Sequence, residues 1–125
     1  MAQQLISEFE SNRLLDYEFS DTVNLSLHTA SPGDDGSNEV AGGSYERQEV
    51  DPAGWSAAAD KALHNVDEIL FPDMPEIEVT HAGLWDGDGN FLRAIELDPP
   101  ISCTAGDTVR IAEGAAEFTI ENKED

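Results

Sequence analysis

Asp86-Gly87-Asp88-Gly89-Asn90 place side-chain oxygens at alternate positions, the spacing at which they converge on a hard cation. An EF-hand loop then needs glycine at its sixth position and glutamate at its twelfth. This chain has Phe91 and Leu97 there, so the segment reads as a hairpin turn. Asp86 and Asp88, with the acidic pair Asp34 and Asp35, remain as candidates for loosely bound cations, and no other cofactor is implied. His28, His64 and His81 are not spaced as metal ligands, and hydrogen-bonded structural roles on strands suit His28 and His81. Cys103 is the only cysteine, which excludes an internal disulfide. There is no nucleophile elbow, phosphate-cradling glycine loop or zinc-protease motif. With 27 acidic residues in 125, paired carboxylates carry no signal, and the expectation is a protein that is not an enzyme. Two tryptophans remain: Trp85, beside Gly83, is expected in the core, and Trp55, after the Pro52-Ala53-Gly54 break, is expected on a contact surface.

The elements that must position these residues are mostly strands. Ser7 and Glu10 have capping-box spacing and start a short helix to about Tyr17, with Ile6, Phe9, Arg13 and Tyr17 on one stripe and Leu14 beside it. That stripe can lie against a sheet or a neighbouring subunit, and Phe9, Arg13 and Tyr17 are interface candidates. Val23, Leu25 and Leu27 alternate with Asn24 and Ser26, the period of a half-buried strand. Residues 32–43 hold Gly33, Gly36, Gly42 and Gly43 and are expected to form an outward loop that can be shortened without loss of stability, carrying Asp34 and Asp35 as contact residues. Further strands are expected over 45–50, 66–71, 77–85, 91–97, 108–112 and 117–120; 57–63 reads as a helical turn or a feed into a strand, and Pro99-Pro100 as a strand end. The fold class is all-β: a single-domain β-sandwich of about seven strands with a short N-terminal helix. Its parts are a helical segment at 1–20, the sandwich at 21–121 and a frayed tail at 122–125.

Charge bounds the partners. Six basic residues against 27 acidic ones give a formal net charge of −21. Nucleic-acid binding, which relies on Lys and Arg neutralising phosphates, is excluded. No apolar run reaches the roughly 20 residues needed to span a bilayer, and the start lacks a signal-peptide pattern. A chain this acidic repels itself in dilute buffer and is screened in concentrated salt. Its hydrophobic content of 39% argues for a packed domain over an acidic disordered segment. A lysine-poor acidic domain of this kind suggests a halophilic setting.

Several phrases stand in order along the chain: Leu14-Leu15-Asp16; Leu27-His28-Thr29-Ala30-Ser31-Pro32; Glu39, Val40, Gly42, Gly43, Tyr45 and Arg47; Trp55; Ile69-Leu70-Phe71-Pro72; Thr80 to Asp86; and Ala105-Gly106-Asp107-Thr108. Together they resemble a small-protein family of tailed viruses (Caudoviricetes) whose members are tail-fibre-like or virion proteins. The resemblance implies a virion location and a structural subunit of a tail or capsid-surface projection: fibre, spike, turret or decoration. The expected partners are copies of itself in a homo-oligomer, other virion proteins and a host cell-surface glycan or protein. Combined with the charge, the resemblance suggests a virus of halophilic archaea. The competing reading is a free carbohydrate- or ion-binding β-module of a halophile.

Overall fold

A computed structural model of the chain describes residues 5–120. The expected tail at 122–125 and the first four positions of the helical segment lie outside the described residues. Helix α1 (Glu8–Glu18) starts where the capping signal places it, with the Glu10 N–H donating to Ser7 Oγ at 3.1 Å. The Glu10 carboxylate does not complete the reciprocal half of the box; it accepts from Nε and one terminal nitrogen of Arg13 instead. Leu15 and Ser11 are the residues α1 buries. The turn after Ala58 is tied to the same helix, the Ala58 and Lys61 N–H groups donating to Asp16 and Asn12.

Eight strands follow: β1 (Val23–His28), β2 (Gln48–Val50), β3 (Ala62–His64), β4 (Ile69–Phe71), β5 (Ile77–Trp85), β6 (Phe91–Cys103), β7 (Val109–Ile111) and β8 (Glu117–Thr119). The main sheet is antiparallel with order β2-β1-β5-β6, and two-stranded ladders pair β3 with β8 and β4 with β7. One apolar cluster joins all three sheets, with Leu25, Leu27, Val79 and Leu84 from the main sheet and Leu63, Phe71, Val109 and Phe118 from the ladders. The fold is thus a small all-β domain with an N-terminal helix, as the alternation and turn spacing indicate.

Several boundaries shift for physical reasons. β2 begins at Gln48 rather than at 45, because Tyr45 turns its hydroxyl onto the β1 edge and accepts the Leu27 N–H at 2.8 Å. β6 runs through Pro99-Pro100, which the sequence suggested would end it. Val79 pairs with Ile101 and His81 with Glu96, so one β5 residue faces a four-residue excursion that holds both prolines. β6 is an edge strand, where a missing N–H removes no ladder bond. Residues 57–63 form neither a helix nor a long strand: Asp60 and Lys61 take positive φ and reverse the chain into β3.

Candidate functional site

β1 is buried on both faces. Val23, Leu25 and Leu27 enter the main core, and Ser26 and His28, on the opposite face, are also fully buried. What covers them is the segment expected to project. Residues 32–43 fold back over the sheet: Val40 N–H donates to Leu27 O, Thr29 N–H donates to Asn38 O, and His28 bridges to Glu39. Gly36 sits so close to Trp85 that an added Cβ would lie 2.3 Å from the indole edge, at a φ of +81°. The outward, dispensable loop of the sequence reading is therefore corrected to a packed flap. Its glycines permit close approach and positive φ rather than mobility.

Under the flap the motif residues converge. His28 Nδ1 lies 2.8 Å from the Ser37 carbonyl, which can only accept, so Nδ1 carries the proton and donates. Nε2, 2.6 Å from Ser26 Oγ, then accepts the serine O–H, and Trp85 Nε1 donates to the same Oγ at 2.8 Å. Gly83 faces Ser26 across the β1–β5 ladder, and any Cβ there would lie 2.6 Å from Ser26 Oγ and 2.7 Å from His28 Nε2. Glu39 accepts from the Tyr45 hydroxyl at 2.8 Å and from two nitrogens of Arg47, whose guanidinium lies 3.8 Å from the centre of the Trp85 ring.

The electrostatics follow from burial. Desolvation pushes the His28 imidazole below its ordinary value, against the Ser37 carbonyl that favours its charged form. Burial raises the Glu39 carboxyl, but the Arg47 and Tyr45 hydrogen bonds outweigh it and hold the group below the usual carboxylate range. Burial likewise pushes the Tyr45 phenol and the Cys103 thiol up. A serine hydroxyl on an imidazole is the geometry of a nucleophile and its base, but both side chains are 0% exposed. No substrate reaches them. The network binds the flap to the sheet.

The expected interface residues separate. Phe9 and Tyr17 stand 77% and 79% exposed on α1, with Arg13 between them in its pair with Glu10. Trp55 is corrected: it is 6% exposed, with Phe19 and Phe118 ring centres 4.6 and 5.8 Å away, because the Pro52–Gly54 turn points the indole inward. Trp85 is buried as expected, on the flap side of the sheet. Asp34 is exposed, and Asp35 accepts from the N–H and hydroxyl of Ser37. Asp86 is spent on the hairpin turn, accepting the N–H groups of Asp88 and Asn90 and the Asn90 amide, which together hold its carboxyl low. Among the described residues no group of three or more His, Cys, Asp or Glu is arranged to hold a metal ion.

One surface was missed. A groove of about 790 Å³ runs between the end of α1 and the β5–β6 turn, bringing Tyr17 together with Asp21, Asp86, Asp88 and Leu92. Leu92 is there because of a bulge: Leu84 pairs with Arg93 and Trp85 with Phe91, leaving Leu92 as the extra residue. Its signal in the sequence is an apolar residue directly beside Phe91 after a turn, since both cannot face one side of a strand.

Comparison with known families agrees with this geometry in scale: the family model described as podophage GP4 fiber I protein gp80 matches residues 6–119. No curated protein matches the chain.

Proposed function

We propose a role in assembling a viral fibre, from the premise that the chain belongs to the podophage GP4 fiber I protein gp80 family. It is a structural component of a tailed-virus tail fibre and resides in the virion. Within that frame, the flap-covered sandwich is a rigid block, and its contacts with other virion proteins are made by two surfaces. One is the α1 face that carries Phe9 and Tyr17. The other is the outer edge of β6, which has no strand beside it among the described residues and pairs copies of the chain.

The observation that carries this reading is the exposure of two aromatic rings at 77% and 79% on a helix whose other exposed residues, Leu14 apart, are polar. Exposed rings of this size on a soluble domain mark contact surfaces. Host attachment, if this subunit performs it, uses an exposed surface other than the His28 network, which is sealed. The acidic surface supports a salt-rich setting, and an archaeal host remains part of the proposal rather than of the family assignment.

The test is mass spectrometry of purified particles and cross-linking within them. Cross-links from α1 to another virion protein are expected. Absence of the chain from particles that carry a complete tail would overturn the reading in favour of a free carbohydrate- or ion-binding module.

A further inference from the structure

We propose that the groove beside Tyr17 is the docking site for a lysine- or arginine-bearing segment of a different protein, and not for a second copy of this chain. The proposal rests on the reading of the chain as a subunit that docks on other virion proteins, and it adds which surface is used and what chemistry fills it.

Three features give the groove its preference. First, Glu18, Asp21, Asp86 and Asp88 line it, and no basic side chain does. Arg93 engages Glu18, but the Asp21 and Asp88 carboxylates make no hydrogen bond or ion pair with any described residue. Secondly, the C-terminal end of α1 opens here, and its last turn holds no basic residue. The partial negative charge of that helix end, about half an elementary charge, is offset by no basic residue of that last turn and adds to the carboxylates. Thirdly, the floor is not purely polar. The Tyr17 ring and the Leu92 side chain, turned out by the bulge, offer apolar surface to the methylene stem of a lysine or arginine, and the ring face attracts its charge. From Tyr17 the surface continues along α1 through Arg13 to Phe9, about 12 Å at the helical rise.

Among the described residues a second copy offers no cation without a partner of its own. Arg13, Arg47, Arg93 and Arg110 are each paired with a carboxylate of their own chain, and Lys61 donates to the Ile6 carbonyl. The remaining cation, Lys123, lies outside the described residues.

The probe is a short acetylated peptide of alternating lysine and leucine, titrated into the isotopically labelled full chain while backbone amide signals are followed. Spermine serves as a cation without apolar groups. Expected are shifts centred on Tyr17, Asp21, Asp88 and Leu92, and binding weakened about tenfold or more in a Tyr17→Ser/Asp88→Asn double variant, with Glu76→Gln/Glu78→Gln changing it less than about twofold. Tyr17 and Asp88 are exposed, so the double variant should melt like the parent, which separates lost binding from lost folding. Shifts spread evenly over the acidic surface, spermine matching the peptide, or a double variant that binds unchanged would each overturn the proposal. So would concentration-dependent shifts at these residues without peptide, which would identify a second copy as the occupant. Failure here leaves the particle mass spectrometry untouched, so the two readings fall separately.

Discussion

Gly83→Ala adds one methyl group at the point where the sheet and the flap are joined. The new Cβ would lie 2.6 Å from Ser26 Oγ, 2.7 Å from His28 Nε2 and 3.2 Å from the Phe91 ring. None of these can retreat freely: Ser26 and His28 are fully buried and bonded to each other, and Phe91 packs on Trp85 at 5.1 Å. Overpacking of this kind costs about 1–3 kcal/mol. Prising Ser26 from His28 or Trp85 leaves a buried polar group unpaired, for about another 1–3 kcal/mol. The expected loss is about 2–6 kcal/mol. At about 2.1 cal/mol/K of unfolding entropy per residue, 125 residues have about 0.26 kcal/mol/K, so Tm should fall by about 8–23 °C. Thermal melts followed by near-ultraviolet circular dichroism would also report Trp85 directly. Gly89→Ala is the control, because Gly89 has a φ of +88° but nothing within 4 Å of its added Cβ. Backbone strain alone there is worth about 1–2 kcal/mol. A Gly83→Ala protein melting within about 2 °C of the parent, or above Gly89→Ala, would refute the account of a tightly joined flap.

Replacing residues 32–43 with a tight turn should destabilise by more than about 3 kcal/mol, since it uncovers Trp85, removes Val40 from the core and takes away the Ser37 carbonyl; unchanged melting would show the flap to be an ornament. Trp55→Ala should cost about 3–5 kcal/mol in denaturant unfolding, which a surface tryptophan would not. His28 is held below its ordinary value, so between about pH 6.5 and its lower folded value the unfolded chain binds the extra proton. Its contribution is therefore complete above about pH 6.5 and declines as pH falls, and the denaturant midpoint of the parent should drop relative to that of His28→Gln between about pH 7.5 and 5.5; parallel curves would refute this. With a net charge of −21, Tm should rise from about 0.1 M to about 3 M salt, and a flat response would remove the salt-rich setting.

The strands and the helix start were legible because they rest on local signals: alternation at Val23–His28, the Ser7 cap, and the 86–90 turn. The flap was not. A run of glycine and aspartate looks alike in sequence whether it projects or packs, and what decides is Trp85, nearly fifty residues away, against which Gly36 is fitted. The same holds for Trp55: a preceding proline and glycine mark a turn, but the direction of the indole was set by Phe19 and Phe118. Within the groove, Tyr17, Asp86 and Asp88 were singled out separately, and only the bulge at Leu92 and the helix end beside Asp21 bring them into one surface.

The hydroxyl of Tyr45 on the β1 edge limits how the sheet can grow. Beyond Leu25, where β2 stops, the next positions on that edge are filled by the Tyr45 oxygen and by Val40, so no incoming strand finds a free ladder there. The opposite edge, β6, is open along residues 91–98 and broken after that by its prolines. On the Tyr45 side the outermost strand of the main sheet is β2, only three residues long, and so short an edge offers little to an incoming strand. On the proposed β6 contact, backbone pairing between copies would use that strand rather than the β1–β2 side. A short edge on one side and prolines on the other are devices by which a sheet limits unwanted growth through its backbone.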